Sequence, residues 1–178
     1  MSEVKSKVQR VAILGAESSG KSALAEALAQ RYQTLWVPEY LREFVETQQR
    51  VPRESEQIMI ARTQLEREHA MALKANGWLF CDTTPLMTAI YSEYYFSAAG
   101  DDLLALTDQH YYDFTVVTAP DLPWIADGLQ RESPAVRQAI HERVLVELEE
   151  RDISHLLVEG SLAQRIEQVE FALTFLMA

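Results

Sequence analysis

Residues 11–22 are Val11-Ala12-Ile13-Leu14-Gly15-Ala16-Glu17-Ser18-Ser19-Gly20-Lys21-Ser22, and this segment indicates the fold of the chain most clearly. An apolar run is followed by G-x-x-x-x-G-K-S, the spacing of a phosphate-binding loop, or P-loop. The two glycines permit backbone angles that let several N–H groups face phosphate oxygens. Lys21 supplies a cation for the β- and γ-phosphates, and Ser22 supplies a hydroxyl group for Mg²⁺. We predict that residues 15–23, ending at Ala23, bind the phosphates of ATP.

The residues on both sides of this loop support that prediction. Val8 and residues 11–14 form an apolar, β-branched run that is typical of a buried parallel strand. Residues 23–32 are rich in helix formers, with Leu24 and Leu28 one turn apart. Strand, loop and helix therefore occur in the order that phosphate binding requires, whereas an ordinary glycine turn requires no such context.

Composition limits the partners that this chain can have. The 178 residues are most simply one domain, residues 1–178, and the net charge of −11 argues against nucleic acid or an anionic membrane surface as a partner. Cys81 is the only cysteine, which excludes an intrachain disulfide, and it lies in an apolar run typical of a buried thiol. There is no hydrophobic signal segment and no apolar run long enough to span a membrane. We expect a cytoplasmic protein.

Strand and helix patterns alternate along the whole chain. Further strands are predicted at 34–37, 78–82, 114–118 and 153–159, and helices at 41–45, 55–75 and 84–98. Two more helices are predicted, one that begins at Ser133-Pro134 and one that begins at a capping box of Ser161 with Gln164. Asn76-Gly77 is predicted to cap the 55–75 helix, 101–113 to be a polar connection, and 119–132 a functional loop with a turn of helix. The pattern predicts an α/β fold, a five-stranded parallel sheet covered by helices on both faces, with ligands at the carboxyl ends of the strands.

Two carboxylates follow those carboxyl ends. Asp82 ends its strand and, with Ser22, is the predicted Mg²⁺ site, although a carboxylate there can also cap the next helix. Glu39 follows the second strand, whose end we expect to neighbour the P-loop strand, and is the predicted base that accepts the proton of an acceptor hydroxyl. The alternative for Glu39 is a surface turn. Arg42 either holds substrate or pairs with Glu43 or Glu46.

Other classes of P-loop protein fit less well. Motor-type and AAA+ ATPases carry Asp-Glu where this chain has Asp82-Thr83, so dedicated hydrolysis is disfavoured. The guanine-reading N/T-K-x-D motif is missing, because the corresponding residues are Thr118-Ala119-Pro120-Asp121. A kinase for a small acceptor remains.

Four segments carry a resemblance to a known family: G-A-E-S-S-G-K-S, P-E-Y-L-R-E-F, F-C-D-T-T and A-P-D-L-P-W-I-A-D-G-L-Q-R. In this order they resemble the ribosylnicotinamide kinase domain of NadR-type proteins of NAD salvage. The resemblance implies a P-loop NTPase/kinase fold of the deoxynucleoside and nucleotide kinase type. The implied activity is ATP- and Mg²⁺-dependent phosphorylation of nicotinamide riboside to nicotinamide mononucleotide.

The chain departs from that family at three places. The family's bifunctional proteins carry an adenylyltransferase domain before the kinase domain, whereas only about seven residues precede the first strand here, so we expect that this chain does not itself complete NAD. The family's D-T-D is Asp82-Thr83-Thr84 here, without the second carboxylate. The lid motif D-G-L-R is Asp127-Gly128-Leu129-Gln130, with Arg131 one place later.

The acceptor site is assigned by position and resemblance. Arg131 is the candidate lid cation over the transferred phosphoryl group, and the candidate substrate-binding residues are Glu39, Tyr40, Arg42, Trp124 and Asp127. Trp124 either stacks on the nicotinamide or covers the core, and Tyr40, Tyr91 and Tyr94 are alternative stacking partners for a pyridinium cation. The four histidines, His69, His110, His141 and His155, show no metal-ligand spacing. Open alternatives are a kinase for another nucleoside, or an ATPase or nucleotide-dependent regulatory module, and the chain is a possible homo-oligomer.

Overall fold

The computed structural model describes residues 7–109, 112–125 and 133–176, which contain five β-strands and seven α-helices. The strands are β1 (Gln9–Leu14), β2 (Leu35–Val37), β3 (Trp78–Asp82), β4 (Phe114–Thr118) and β5 (Leu156–Val158). The helices are α1 (Lys21–Arg31), α2 (Tyr40–Gln48), α3 (Gln57–Ala72), α4 (Pro85–Phe96), α5 (Asp101–Thr107), α6 (Pro134–Glu150) and α7 (Leu162–Leu176). The strands form one parallel sheet in the order β2-β3-β1-β4-β5, which confirms the predicted fold class.

Helices cover both faces of the sheet, which explains why residues 11–14 of β1 are all apolar and buried. Val11 and Ile13 pack with α1 and α7 in one cluster of buried residues. Ala12 and Leu14 belong to a second cluster with residues of α4 and α6. A strand that is buried on both faces needs apolar side chains at every position, because neither face meets water.

The registers bring the carboxyl ends of the strands to one edge of the sheet. Asp82 of β3 lies opposite Ile13 of β1, and Val37 of β2 lies opposite Cys81. The expectation that β2 neighbours the P-loop strand is wrong, because β3 lies between β2 and β1. The end of β2 therefore reaches the P-loop past the end of β3.

The structure differs from the predicted segments at three places. β5 contains only Leu156–Val158 of the predicted strand 153–159. The segment 101–113 contains α5, in which Leu103 packs with Ala61 of α3 and Ala89 of α4. Leucines in a short segment with acidic residues in its first turn were the overlooked signal. Helix α3 ends at Ala72, and Gly77, with φ of 75°, forms the turn into β3 and is not the helix cap.

Two helices begin at the predicted residues with side-chain caps. Ser161 and Gln164 exchange hydrogen bonds of 2.8 and 3.2 Å in the expected capping box, and Ser133 accepts from the N–H of Val136 at 3.2 Å. Thr84 occupies the N-cap position of α4, but its side chain makes no capping bond. Among the described residues, no helix combines the length and apolar character needed to cross a bilayer.

Helix α3 contains a buried acid, Glu68, that lies beside Tyr112 and Cys81. Its side chain is fully buried and accepts a hydrogen bond from the Tyr112 hydroxyl at 2.7 Å. Burial raises the pKa of Glu68 to about 7, and hydrogen bonds from Tyr112 and Cys81 oppose that rise. The folded protein therefore holds a proton on Glu68 in a pH range where the unfolded chain has released it.

This proton makes stability depend on pH. The folded pKa of Glu68 lies above the unfolded value of 4.5, so the free energy of unfolding falls as pH rises from about 4.5 to about 7. Glu68→Gln removes this loss, by up to about 3 kcal/mol, and the variant is more stable than the parent at pH 8. Urea unfolding at pH 5 and pH 8 measures the free energy of unfolding of parent and variant. The control is Glu66→Gln, at an exposed position of the same helix. An equal change in both variants would contradict the assignment.

Candidate active site

The P-loop fills the turn between β1 and α1, as predicted. Gly15 and Gly20 have φ of 155° and 85°, which side chains rarely adopt. Neither has room for a Cβ atom, which at Gly15 would lie 2.2 Å from Thr118 Oγ1 and at Gly20 2.9 Å from a methyl carbon of Leu122. A cavity of about 370 Å³, the donor cavity, lies on this loop and is lined by residues 17–23, Arg42, Leu122, Pro123 and Ile125.

Lys21 and Ser22 begin α1 and connect the loop to β3. Lys21 is only 7% exposed, and its Nζ donates to the Ala16 carbonyl at 3.1 Å. The Ser22 hydroxyl donates to Asp82 Oδ2 at 2.6 Å. Contacts within the protein therefore fix the positions of both side chains.

The donor set at Asp82 fits Mg²⁺. Asp82 is fully buried, and its Oδ1 has no hydrogen-bond partner among the described residues. In that part of the chain no cluster of three or more His, Cys, Asp or Glu side chains could hold a metal. Mg²⁺ in nucleotide sites binds through one or two protein groups together with phosphate oxygens and water. Ser22 and Asp82 could therefore hold Mg²⁺ only together with a nucleotide.

Thr83 stands where hydrolytic P-loop ATPases carry a glutamate. Its backbone has φ of 76°, which is unusual for a β-branched residue, and its N–H donates to the Ile13 carbonyl at 3.0 Å. A threonine hydroxyl is too weak a base to activate water as a carboxylate does.

Glu39 follows β2 and is largely buried, with 9% of its surface exposed. Burial raises the pKa of Glu39 to about 8, Lys21 opposes this rise, and the carboxylates of Glu17 and Asp82 add to it. A second cavity of about 160 Å³ is lined by Glu39, Asp82, Ser22, Trp36, Pro38, Arg42, Glu43 and Glu46. We call it the acceptor cavity because it contains the predicted acceptor residues Glu39 and Arg42. Glu39 is thus a buried carboxyl group beside the phosphate-binding residues.

Gln64 of α3 fixes the backbone on both sides of Glu39. Its Oε1 accepts from the N–H of Tyr40 at 2.8 Å, while its Nε2 donates to the carbonyls of Pro38 at 3.3 Å and Asp82 at 3.4 Å. Gln64 was not among the site residues predicted from the sequence. The available signal was a glutamine on the helix face that also carries Ile60, Ala61 and Leu65.

Arg42 lines both cavities, so the donor and acceptor cavities adjoin at Arg42 and Ser22. Glu43, one of its predicted ion-pair partners, is instead paired with Arg67. The Arg67 guanidinium also lies over the Tyr40 ring, 4.8 Å from its centre. Of the candidate substrate residues, Glu39 and Arg42 therefore face the cavities, whereas the Tyr40 ring faces Arg67.

The remaining aromatic candidates lie at different places. Tyr91 lines a small cavity of about 20 Å³ with Glu39, Gln64 and Thr83. Tyr94 is exposed and packs edge-on against Tyr95. Trp124 is partly buried, and its neighbours Leu122, Pro123 and Ile125 line the donor cavity.

The lid predictions and the histidines can be placed only in part. Asp127 and Arg131 lie outside the described residues, as does His110, and the described part of the predicted loop, 119–125, contains no helical turn. His69 contacts Arg10 at 3.1 Å, and burial lowers the pKa of His141.

Comparison with known proteins gives the chain its family. A family model described as an AAA domain, AAA_28, matches residues 10–165. The chain belongs to the AAA_28 family.

Relatives of this AAA_28 chain include a protein of NAD metabolism. This chain is 32% identical over 157 residues to the trifunctional NAD biosynthesis/regulator protein NadR of Escherichia coli K12. The match covers 85% of this chain and 38% of NadR. The chain thus spans less than half the length of that curated relative.

Two solved structures of NadR share the fold. A NadR structure in complex with NR has a TM-score of 0.78 at 19% identity and covers 93% of this chain and 51% of NadR. Another, in complex with NAD and AMP-PNP, has a TM-score of 0.77 at 18% identity and covers 93% of this chain and 49% of NadR.

Proposed function

We propose that this chain transfers the γ-phosphoryl group of ATP to the 5′-hydroxyl group of nicotinamide riboside. The observation that carries the proposal is the place of Glu39, a buried carboxyl group on the acceptor cavity, next to the Ser22–Asp82 pair and the donor cavity. A P-loop beside such a carboxyl group has the two parts that phosphoryl transfer to an alcohol requires.

The P-loop holds the donor in the proposed reaction. Its N–H groups and the Lys21 ammonium bind the β- and γ-phosphates, and Lys21 stabilises the charge that develops during transfer. Ser22 and Asp82 would hold Mg²⁺, which when bound neutralises part of the phosphate charge.

Glu39 accepts the proton of the acceptor hydroxyl as that oxygen attacks the γ-phosphorus. Gln64 keeps the backbone around Glu39 fixed relative to Asp82. Glu43 and Glu46 also line the acceptor cavity, and this acidic lining suits the pyridinium cation of nicotinamide riboside. A NadR structure in complex with NR supports this acceptor, and another in complex with NAD and AMP-PNP supports a nucleotide donor. The net charge of −11 favours a small-molecule substrate over a nucleic-acid partner.

An acceptor screen tests the proposal. Release of ADP from ATP is measured with nicotinamide riboside, with neutral nucleosides and without an acceptor. We expect ADP release to require nicotinamide riboside and to yield its 5′-monophosphate in equal amount. Preference for a neutral nucleoside would make the chain a kinase of different specificity, and ADP release without an acceptor would favour an ATPase or regulatory module.

Asp82→Asn should weaken the response to Mg²⁺. The amide keeps the shape of the side chain and removes the charge that the metal requires, so the half-saturating Mg²⁺ concentration rises by about 10–100-fold. Activity is titrated with Mg²⁺ at fixed ATP. Asp102→Asn, at an exposed position of α5, is the control and keeps the parent titration. An unchanged metal optimum and rate in Asp82→Asn would leave Asp82 with a structural role only.

A further inference from the structure

Two arginines from the last two helices bind successive carbonyl groups of the P-loop. Arg165 of α7 is 1% exposed, and its Nη1 donates to the Ser19 carbonyl. Arg137 of α6 donates through its Nη1 to the Ser18 carbonyl at 3.2 Å and to the Leu122 carbonyl at 2.7 Å. We call this pair of side chains, Arg137 and Arg165, the arginine brace.

The brace fixes the direction of two peptide groups. In a trans peptide the C=O and N–H bonds point to opposite sides. The Ser18 carbonyl shares its peptide with the N–H of Ser19, and the Ser19 carbonyl shares its peptide with the N–H of Gly20. Because the guanidinium groups take the two carbonyls, these N–H groups point away from the brace. A phosphate cradle requires such a row of N–H groups with one common direction.

Arg165 also ties the P-loop to the ends of two further strands. Its Nε donates to the Gly160 carbonyl at 3.0 Å, beyond β5, and its Nη2 to the Ala119 carbonyl at 3.0 Å, beyond β4. The same guanidinium is paired with Asp121, whose Oδ2 accepts from the N–H of Gly160 at 2.6 Å. Only a planar group with several donors can reach all of these acceptors, so lysine cannot replace Arg165.

The close approach of Arg165 also explains Gly20. A Cβ atom at Gly20 would lie 3.1 Å from Arg165 Nη1, which is tighter than ordinary packing. The glycine therefore serves both its left-handed backbone and the brace behind it.

We propose that the arginine brace holds the P-loop in its phosphate-binding shape before nucleotide binds, so that Arg137 and Arg165 are positioning residues for the donor. The inference rests on the ATP site of the proposed function and is independent of the acceptor. Without the brace, the N–H groups of Ser19 and Gly20 must be ordered at the expense of nucleotide affinity, because preorganisation lowers the cost of binding.

Binding of ADP to the full chain, measured by titration calorimetry, tests this inference. Losing one hydrogen bond to a charged group costs about 1.5–3 kcal/mol, so we expect the Kd for ADP to rise about 10–100-fold in Arg165→Lys and Arg137→Met. In turnover assays the KM for ATP rises in the same variants while the KM for the acceptor stays near the parent value. A merely structural role would not separate the two substrates in this way.

Matched variants keep the test decisive. Arg143→Met removes one positive charge from the same helix, α6, but Arg143 pairs with Glu147, so its ADP affinity remains that of the parent. If Arg165→Lys does not fold, Arg137→Met and Asp121→Asn, at less buried positions, decide the outcome.

The inference would be overturned if the ADP affinity stayed within about twofold of the parent value in Arg165→Lys and Arg137→Met, or in Arg137→Met and Asp121→Asn where Arg165→Lys does not fold. A parent chain that does not bind ADP would also overturn it. A parent that binds ADP through the brace but phosphorylates no nucleoside would overturn only the proposed kinase function.

Discussion

Glu39→Gln lowers kcat by about 10²–10⁴-fold and leaves ADP binding near normal, because general-base assistance contributes a factor of this size. The glutamine keeps the shape of the side chain but cannot accept the proton of the acceptor hydroxyl. Glu39 lies on the acceptor cavity, outside the set of side chains that line the donor cavity. Single-turnover rates at saturating ATP and nicotinamide riboside measure the effect.

The same variant changes the pH dependence of the reaction. Because burial raises the pKa of Glu39 to about 8, the carboxyl group of the free enzyme is mostly protonated at pH 7. A base must be deprotonated to act, so kcat/KM of the parent rises with pH up to about 8 and then levels. Glu39→Gln lacks this rise. It resembles the protonated form, so its melting temperature at pH 7 stays near that of the parent.

Glu43, one helical turn further on, is the competing base and provides the control. It is about half exposed and paired with Arg67, whose hydrogen bonds lower the pKa of Glu43. Glu43→Gln should therefore retain kcat and the pH profile of the parent. If Glu43→Gln is the impaired variant and Glu39→Gln is near normal, the assignment of the base is wrong although the kinase proposal stands.

Lys21→Ala nearly abolishes phosphoryl transfer, with a loss of about 3–4 kcal/mol in transition-state stabilisation, or roughly 10²–10³ in rate. The Lys21 ammonium opposes the raised pKa of Glu39, so its removal also leaves Glu39 protonated to higher pH. The pH–rate profile of the remaining activity shifts upward. This shift separates loss of the cation from a general loss of structure.

Lys74→Ala, at an exposed position, removes the same charge far from the site and leaves rate and pH profile unchanged. Circular dichroism and melting temperature of both variants establish that they fold. A folded Lys21→Ala protein that keeps most of the parent activity would refute the role of Lys21.

Features that depend only on residues close in the chain could be predicted from the sequence. Glycines at fixed spacing between an apolar run and a helix-forming segment specify the P-loop, because the backbone angles and the start of the helix are local properties. An apolar run such as residues 78–82 specifies a strand buried on both faces, and Asp82 at its end follows directly. Because parallel strands bring their carboxyl ends together, the positions of Glu39 and Asp82 in the sequence are enough to make them candidate site residues.

Contacts between groups that are distant in the sequence could be identified only in the folded structure. Residue patterns do not predict the strand order, which places β3 between β1 and β2. In this arrangement Glu39 interacts electrostatically with both Asp82 and Lys21. Arg165 reaches Ser19 across 146 positions of the chain, and a polar residue within an amphipathic helix carries no sign of such a partner. Burial also decided the chemistry of Glu39, because the raised pKa comes from desolvation by groups remote in sequence. Local propensity sets where strands and loops form, whereas long-range packing sets which carboxyl groups lose water and which loops share one guanidinium group.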